Sequence, residues 1–488
     1  MRRYFRFLLL FLLTAVPLYL PSCASAGEPL YAVREPNGLW GYIDRQGVQV
    51  IPGTFTYAED FQGGYAVAGQ YPDGFSLPEG DETEPLYQLG SGEYMKDTGL
   101  EGIIDARGEW IVPPEYFTVL SYDEIGQYIG GRDSGLYLLE RENAYGFFDI
   151  PSGFFSGAVY EAVFLEYGEA MDPELIGVVK DGKTGFVRRS DGATVIPCRY
   201  APKPAYFHED RCIVSPADNP SRRIIIDRQG RETPVPESLK AADDRFSGGL
   251  LPVMDCSSGL YGYLDTEGRI AVTPQFTQAN PFHEGRAVVT AQSGVQAVQA
   301  VISPDGQILF SAKGVFLWPA YDHGLIPCPA DDGRSFVFLD RDGAEAFTLS
   351  ADGLTCADPF GEDCIAWYYV RTDSPFAEPF GGIAKGLFSS GGEILTPPVF
   401  WTNDDDETEA EFTDGPVPAV DLFSGDAGYI DERGHWLARF ENGYCSPFRD
   451  GLAQVDVSTD SGRKVIFINL QGSEVYSYTW DGTEAYHE

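Results

Sequence analysis

The sequence Gly38-Leu39-Trp40-Gly41-Tyr42-Ile43-Asp44-Arg45-Gln46-Gly47 decides the fold, because variants of it return along the chain. A short apolar strand ends at Asp44, whose carboxylate can accept a backbone N–H two residues on, and Gly47 accepts a positive φ. Asp-x-x-Gly between two apolar runs predicts a hairpin turn of about three residues with a glycine bulge. The returning strand, residues 48–51, is expected to end at Pro52, which has no N–H for a ladder.

Copies of this stretch occupy residues 100–108, 259–268 and 427–434, and weaker copies fill the gaps between them. The glycine that closes the turn aligns in eleven units, and six of the ten intervals measure 37 to 39 residues. The closing glycines are Gly47, Gly108, Gly153, Gly192, Gly230, Gly268, Gly306, Gly343, Gly392, Gly434 and Gly472. The residues that we assign to the repeat structure are Trp40, Gly41, Asp44, Gly47, Gly102, Asp105, Gly108, Gly262, Asp265, Gly268, Gly428, Asp431 and Gly434.

Two aromatic positions follow the returning strand, and a third strand then alternates apolar and polar residues. The first position carries Phe55, Tyr116, Tyr200 and Phe276; the second, before a glycine, carries Phe61, Phe282 and Phe448. One unit alone cannot bury these rings, so neighbouring units must stack. We therefore predict an all-β fold: a tandem array of about eleven three-stranded hairpin repeats of roughly 38 residues, open and superhelical or propeller-like. Eleven units exceed the usual four to eight blades of one propeller, which favours an open or composite arrangement.

The unit with Trp40-Gly41, Asp44, Gly47, 50–52 and Phe61 resembles the WG-repeat family. The resemblance implies β-hairpin repeat modules, mostly bacterial and often exported or surface-attached, that serve interaction rather than catalysis. It assigns no catalytic residue to the repeat. Only the first unit keeps the literal Trp-Gly pair; the other units place Tyr261, Tyr145, Glu101, Thr184, Ala427 and Lys385 at the Trp position.

The N-terminus has the features of an export signal, residues 1–26. Three arginines precede an apolar stretch, residues 7–20, that is too short for a confident membrane span. Residues 20–23, Leu-Pro-Ser-Cys, resemble a bacterial lipobox in which Cys23 would be lipidated, although proline is unusual at its position. Residues 24–26, Ala-Ser-Ala, form a small-x-small site that would instead release a soluble protein. Both interpretations place the repeat array, residues 30–488, outside the cytoplasm. The protein would then contact the membrane only through a lipid attached at its N-terminus.

The charge balance excludes several classes of partner. The chain has 74 acidic and 34 basic side chains, a formal net charge of -40. Such a field repels phosphate, so neither nucleic acid nor an anionic membrane surface is an expected partner. Much of the charge belongs to turn aspartates and to two acidic insertions, residues 69–98 and 401–424, which we expect to be exposed loops.

No motif for catalysis or for a cofactor stands out. The zinc-protease, serine-hydrolase, Walker and dinucleotide motifs are absent, and the Ser-x-x-Lys sequence at 461–464 lies in a turn rather than at a helix start. The histidines are spread over separate units, so we expect no metal centre, and the turn aspartates suit turn geometry better than calcium sites. Of the seven cysteines beyond Cys23, the closest pairs are Cys198–Cys212 and Cys356–Cys364, but isolated thiols are the simpler expectation. Trp40, Trp110 and Trp436 are expected in the core, whereas Trp401 is the best candidate for an exposed aromatic.

These observations predict a non-catalytic binding scaffold at the bacterial cell surface, either a membrane-anchored lipoprotein or a protein secreted into the envelope. Its partner would be a protein, a peptide or a cell-envelope component. The alternative is a carbohydrate-binding or carbohydrate-active surface protein that uses acids and aromatics between repeats. A cleft with two carboxylates about 5–9 Å apart beside an open Trp or Tyr would favour that alternative.

Overall fold

The computed structural model describes residues 29–75, 86–88, 94–96, 99–120, 135–165, 172–293, 296–312, 317, 323–330, 332, 334–361, 363–373, 377, 382–401, 412, 415–459 and 462–480. Within these residues the chain forms 42 strands and no α-helix, which confirms the all-β prediction. The strands build ten antiparallel sheets, numbered 1 to 10 along the chain, and one separate two-stranded hairpin. The signal segment 1–26 and Cys23 lie outside the described residues.

Sheets 1 to 5 are meanders in which strands adjacent in sequence are also adjacent in space, apart from the hairpin inserted into sheet 2. Sheet 1 contains β1 (Tyr31–Arg34), β2 (Trp40–Ile43) and β3 (Gln49–Phe55). Sheet 2 contains β4 (Tyr57–Ala58), β5 (Tyr65–Gln70), β8 (Leu100–Asp105) and β9 (Trp110–Tyr116), with the hairpin β6 (Leu86–Gln88) and β7 (Tyr94–Lys96) between β5 and β8. Sheet 3 contains β10 (Thr118–Leu120), β11 (Leu136–Arg141), β12 (Ala144–Asp149) and β13 (Phe154–Phe155). Sheet 4 contains β14 (Ala162–Val163), β15 (Leu175–Lys180), β16 (Lys183–Arg188) and β17 (Thr194–Tyr200). Sheet 5 contains β18 (Arg211–Val214), β19 (Ile224–Asp227) and β20 (Glu232–Pro234).

Sheets 6 to 10 continue the pattern, and sheet 9 joins two repeats through β35, which pairs with both β34 and β36. Sheet 6 contains β21 (Leu239–Ala241), β22 (Leu250–Asp255), β23 (Tyr261–Asp265) and β24 (Ile270–Phe276). Sheet 7 contains β25 (Gln278–Ala279), β26 (Ala287–Ser293), β27 (Gln296–Ile302) and β28 (Ile308–Ala312), and sheet 8 contains β29 (Ile326–Pro329), β30 (Ser335–Leu339) and β31 (Glu345–Ser350). Sheet 9 contains β32 (Leu354–Ala357), β33 (Ile365–Arg371), β34 (Ile383–Ser389), β35 (Phe400–Trp401), β36 (Val417–Asp421), β37 (Ala427–Ile430) and β38 (Trp436–Phe440). Sheet 10 contains β39 (Gly443–Cys445), β40 (Leu452–Thr459), β41 (Gly462–Asn469) and β42 (Glu474–Trp480).

The motif glycine is explained by a bulge in the strand beside it. Trp40 pairs with Phe55 and Tyr42 pairs with Ile51, so three residues of β3 face Gly41 alone. A Cβ atom on Gly41 would lie 2.6 Å from the carbonyl oxygen of Ile51. The same register shift separates β8 from β9, β16 from β17 and β23 from β24. The prediction that the returning strand ends at its proline is therefore wrong: the strand continues through the proline as a bulge.

The aromatic residues of the loops are buried between neighbouring sheets, as the sequence predicts. Eleven hydrophobic clusters lie between consecutive sheets, between the halves of sheet 9, or between sheets 10 and 1. In four of them an edge-on or tilted ring pair recurs with centroids 4.8 or 4.9 Å apart: Tyr42–Phe61, Phe186–Phe207, Tyr263–Phe282 and Tyr429–Phe448. Such pairs contribute about 0.5–1.5 kcal/mol each beyond the burial of their area.

The first sheet packs against the last one. Tyr31, Val33 and Ile43 of sheet 1 form one cluster with Leu452, Val465 and Phe467 of sheet 10. The closing glycines also indicate which sheets are neighbours, because their turns lie on the preceding sheet. A Cβ atom on Gly108 would lie 3.1 Å from Ile51 of sheet 1, and one on Gly306 would lie 2.8 Å from Val272 of sheet 6. Gly47 lies in this way on the carbonyl oxygen of Val475, in the last strand. The open arrangement that the unit count favours leaves the terminal sheets apart and does not account for this contact.

The insertions are smaller than expected from the charge pattern. Within 69–98 the structure places the hairpin β6–β7, and residues 76–85, 89–93 and 97–98 lie outside the described part. Within 401–424, Trp401 and Val417–Asp421 belong to strands of sheet 9, and the side chain of Val417 is only 2% exposed. The boundaries 401–424 are therefore too wide for a loop. The acidic run 404–407 lies outside the described residues.

Candidate functional site

The turn aspartates are engaged by their own turns. Asp44 Oδ1 accepts the N–H groups of Gln46 and Val48, each at 2.9 Å. Asp265 Oδ1 accepts those of Glu267 at 3.0 Å and Arg269 at 2.8 Å. The same two bonds recur at Asp105, Asp227, Asp340 and Asp431. The predicted turn chemistry is confirmed, and these carboxylates hold the backbone rather than line a common site.

The Trp position of the repeat lies at or next to the first residue of a strand and pairs with the first aromatic of the unit. Trp40, Thr184 and Tyr261 pair in this way with Phe55, Tyr200 and Phe276. Two units place a charged residue there. Glu101 is 2% exposed and accepts the N–H of Val119 at 2.6 Å, and Lys385 is 6% exposed. Both are ionisable side chains at the position where other units place an aromatic ring such as Trp40 or Tyr261.

Lys385 lies in a box of aromatic rings. Its ammonium nitrogen is 5.1 Å from the ring centroid of Tyr369, 5.2 Å from that of Trp401 and 5.9 Å from that of Trp367. Cation–π contacts of a desolvated ammonium contribute about 2 kcal/mol. The prediction that Trp401 is an exposed aromatic is wrong, because its ring is partly buried against the sheet 8–9 core and faces Lys385. Trp40, Trp110 and Trp436 are partly buried at core clusters, close to the prediction.

A cluster of charges lies where sheets 4 and 5 meet. The guanidinium of Arg228 contacts Asp172, Glu174 at 3.3 Å and Asp210 at 2.5 Å, and it lies 5.7 Å from the ring centroid of Phe207. Burial opposes the charge of Arg228, but Asp172 and Asp210 outweigh it and raise the pKa of the guanidinium. One guanidinium is thus shared by three carboxylates, so each of these acids is engaged in an ion pair.

The same junction contains a small cavity. It encloses about 10 Å³, about the room of one water molecule. Its lining includes Phe164, Asp172, Phe186, Tyr206 and Phe207. Three phenyl rings, a phenol and a carboxylate could hold a small polar molecule, but the volume is too small for a sugar ring.

A buried ion pair joins sheets 3 and 4. Arg189 Nε donates to Asp149 Oδ1 at 3.0 Å, and both side chains are 5% exposed. The other guanidinium nitrogens donate to the carbonyl oxygens of Asp172 and Gly135, each at 3.1 Å. Burial lowers the pKa of Arg189, and Asp149 opposes that shift. Sequence reasoning missed this arginine, which directly follows Arg188, the residue that takes the turn position of Asp149 and Asp227 in the neighbouring units.

Other candidate groups are not brought together. Within the described ranges, no group of three or more His, Cys, Asp or Glu side chains is placed to hold a metal ion. The seven described cysteines form no disulfide with one another. In the Ser-x-x-Lys sequence, Ser461 lies outside the described part and the remaining residues belong to β41. In the part of the chain that the structure describes, there is no helix long and apolar enough to cross a membrane.

The fold and these contacts define a β-repeat protein in which each unit is completed by the next. Three segments of the chain, residues 40–70, 261–291 and 428–457, match the family model described as WG containing repeat. The chain therefore carries WG repeats at these three places, which confirms the resemblance noted in its sequence. They include Gly41, Gly262 and Gly428, the glycines that lie beside bulged or register-shifted strands.

Comparison with curated proteins gives no significant match. Among solved structures, a eukaryotic initiation factor is 9% identical, with 72% of this chain and 97% of that chain covered and a TM-score of 0.38. Dipeptidyl peptidase 4 from Porphyromonas gingivalis is 10% identical, with coverages of 93% and 60% and a TM-score of 0.28. Hsv2 from Kluyveromyces lactis is 9% identical, with coverages of 53% and 95% and a TM-score of 0.26. TM-scores this low support no argument about function.

Proposed function

We propose that this protein is a non-catalytic binding scaffold that acts outside the cytoplasm, at the bacterial cell surface. The observation that supports the proposal is the use of the repeated groups. Asp44, Asp265 and their equivalents bind turn N–H groups, and rings such as Tyr42 and Phe61 fill the spaces between sheets. Because the recurring residues build the array, the surface is left to the residues that differ between units, as in other repeat proteins that bind partners.

The architecture that we propose is a closed array of about eleven units, with two of them fused in sheet 9. Its support is the packing of sheet 1 on sheet 10 and the position of Gly47 on Val475. One residue separates β3 from β4, β9 from β10 and β24 from β25, so in these units the returning strand leads almost directly into the next sheet. Such short connections favour a continuous, regular surface over deep clefts between units.

The location outside the cytoplasm rests on the N-terminal sequence. Residues 1–26 have the pattern of an export signal, and Cys23 is the candidate for lipid attachment. Metabolic labelling with a palmitate analogue tests the anchor: the wild type is expected to take up label and Cys23→Ala is expected to lose it. An unlabelled wild type that is still exported would replace the lipoprotein by plain secretion.

The binding role is tested with purified residues 27–488 on a glycan array and, in parallel, by pull-down from envelope extract. We expect a protein or peptide partner that is recovered reproducibly and that binds the purified array directly. Strong glycan binding without a protein partner would replace this proposal by the carbohydrate alternative. Hydrolysis of a bound glycan would in addition show that the protein is an enzyme.

A further inference from the structure

The same tight turn leads into β18, β22 and β26, in three consecutive sheets. It spans residues 208–211, 247–250 and 283–286, and the first and last residues of each turn pair as a bridge. The two central residues have positive φ in each turn, for example 61° at Gly248 and 73° at Gly249, or 47° at Glu284 and 74° at Gly285. Successive backbone N–H groups in such a turn form a concave site that can bind an anion.

In sheet 6 this turn binds a carboxylate from the preceding sheet. Glu209 Oε1 accepts the N–H of Gly248 at 2.8 Å, and Glu209 Oε2 accepts the N–H of Gly249 at 2.7 Å. Glu209 is itself the second residue of the turn in sheet 5. One turn thus supplies the acid, and the turn of the next sheet supplies two N–H donors for it.

The same contact recurs between sheets 7 and 8. Glu284 Oε2 accepts the N–H of Gly324 at 2.7 Å, and the Arg341 guanidinium lies 2.8 Å from the same oxygen. Burial opposes ionisation of Glu284, but Arg341 and the Gly324 N–H outweigh it and lower the pKa of this carboxyl. The position of Arg341 is taken by Thr266 in sheet 6 and by Pro304 in sheet 7. The site that holds Glu209 therefore works without an arginine at this position.

Between sheets 6 and 7 the donors are present but the acid is not. The N–H groups of Glu284 and Gly285 have no acceptor among the described residues, and Gly248 stands where the acid would be. The two turns are neighbours, because the Ser247 hydroxyl donates to the carbonyl oxygen of Phe282 and a Cβ atom on Gly248 would lie 3.2 Å from that of Phe282. No described atom lies within 4 Å of a Cβ position on Gly285, so the donors are accessible.

The negative charge of the chain does not prevent binding of a carboxylate here. Glu209 is held by two turn N–H groups in the same molecule, against the same net charge of -40. Charges farther away than about 8 Å are largely screened at physiological ionic strength. The carboxylate of Glu284 is directed to the other side, toward Gly324 of sheet 8.

We propose that the N–H groups of Glu284 and Gly285 form a binding site for one carboxylate of a partner protein. This inference rests on the proposed binding function and names the chemistry of one contact. The class of ligand follows from Glu209, which fills the equivalent site from within the chain. Hydrogen bonds from an N–H to a carboxylate are stronger than those to a neutral acceptor, and backbone sites of this kind also bind C-terminal carboxylates.

Nuclear magnetic resonance of the protein, labelled with 15N-glycine and titrated with acetate, tests the site. We expect the Gly285 amide, identified by its loss in Gly285→Asn, to shift saturably. The amide of Gly249 is the internal control, because Glu209 already fills its site, and it should respond only in Glu209→Ala. An unresponsive Gly285, or equal shifts of Gly285 and Gly249 in the wild type, would overturn the proposal.

Gly248→Glu supplies the missing acid from within the chain. Glu209 adopts a φ of 48° at the equivalent position, so the turn accepts a glutamate. The affinity of Gly285 for acetate should fall at least about tenfold in this variant, and less in the neutral control Gly248→Gln. Unchanged affinity in Gly248→Glu, or equal losses in the two variants, would contradict a site selective for carboxylates.

Peptides of one sequence then distinguish the two sources of the carboxylate. A free C-terminus, an amidated C-terminus and an internal glutamate are compared by the same Gly285 shift. Any partner recovered by pull-down should bind Gly248→Glu more weakly than the wild type. Equal binding would leave the scaffold function and remove this contact, whereas an acetate response without any recovered partner would leave the site and remove the scaffold function.

Discussion

The hydroxyl of Tyr31 donates a hydrogen bond to the carbonyl oxygen of Asp450, 2.8 Å away. Tyr31 belongs to the first sheet, and Asp450 lies in the turn that precedes β40 of the last sheet. Arg45 contacts the side chain of the same Asp450 at 4.0 Å, as Arg341 contacts Glu284 at 2.8 Å between sheets 8 and 7. The interface between the two ends of the array thus repeats the contacts of an internal interface.

Gly47→Ala tests this end-to-end interface. Gly47 has a φ of 76° and lies on the backbone of Val475, so a methyl group adds both left-handed strain and a steric clash. Gly64 has a φ of 90°, and no atom of the described residues lies within 4 Å of its Cβ position, so Gly64→Ala measures strain alone, about 1–2 kcal/mol. We expect Gly47→Ala to lower the free energy of unfolding by about 1–3 kcal/mol more than Gly64→Ala does, because the added methyl group also overpacks the interface. Equal losses in urea unfolding would mean that the terminal sheets do not meet in solution.

Removal of a buried hydroxyl is expected to have opposite consequences in two equivalent tyrosines. Tyr42 and Tyr263 are both fully buried, but Tyr263 donates to the carbonyl oxygen of Asn280 at 2.7 Å, whereas the Tyr42 hydroxyl has no hydrogen-bond partner among the described residues. Tyr263→Phe should therefore cost about 0.5–1.5 kcal/mol, and Tyr42→Phe should be neutral or stabilising. Thermal unfolding of the two variants measures the difference. A loss at Tyr42 as large as at Tyr263 would indicate an internal water bound to its hydroxyl.

Two neighbouring arginines are expected to differ strongly in their contribution to stability. Arg189 forms a buried pair with Asp149, whereas Arg188 pairs with Asp191 at 2.6 Å and is 41% exposed. Arg189→Ala leaves the buried Asp149 carboxylate without its cation, which should cost about 3–5 kcal/mol. Arg188→Ala should cost about 0–1 kcal/mol. Chemical denaturation of both variants measures their free energies of unfolding. Similar losses of stability in the two variants would contradict the burial of the Arg189–Asp149 pair.

The Asp255 turn predicts a pH dependence of stability. Hydrogen bonds from the Ser257 hydroxyl and the Ser258 N–H lower the pKa of Asp255 to about 2, from about 3.8. Since the folded pKa lies below the unfolded one, this stabilisation is complete above about pH 4 and is lost as the pH falls toward 2. Asp255→Asn does not titrate there, so its unfolding free energy should fall less steeply between pH 4 and pH 2. Ser257→Ala removes one donor and should give an intermediate slope; an unchanged slope in Asp255→Asn would exclude this contribution.

Local chemistry was predictable from the sequence wherever a single unit determines it. The Asp44 turn, the positive φ of Gly47 and the burial of Phe55 and Phe61 all follow from residue types at short range. The bulge opposite Gly41 does not follow from the general rule that a proline ends a strand, because Pro52 instead marks a change of register within β3. A motif glycine followed by a proline at constant spacing is the signal that could have revealed it.

Contacts between units were harder to predict, because they depend on pairs of residues far apart in the chain. From the sequence alone, Lys385 and Glu101 are simply substitutions at the Trp position. The structure shows that Lys385 lies against the rings of Trp367 and Tyr369, and that Glu101 accepts the N–H of Val119. The contact between the first and the last sheet was not predictable either, since an open and a closed array have the same internal repeats.

The position of Gly47 on Val475 also has a consequence for how such a chain can change during evolution. An open array can gain or lose a unit at either end, because the remaining interfaces are unaffected. When the two ends are each other's neighbours, loss of one unit separates them unless every remaining interface changes its angle. The number of repeats then becomes a property of the whole molecule, and duplication of a single unit would be accepted only where the ring can still close.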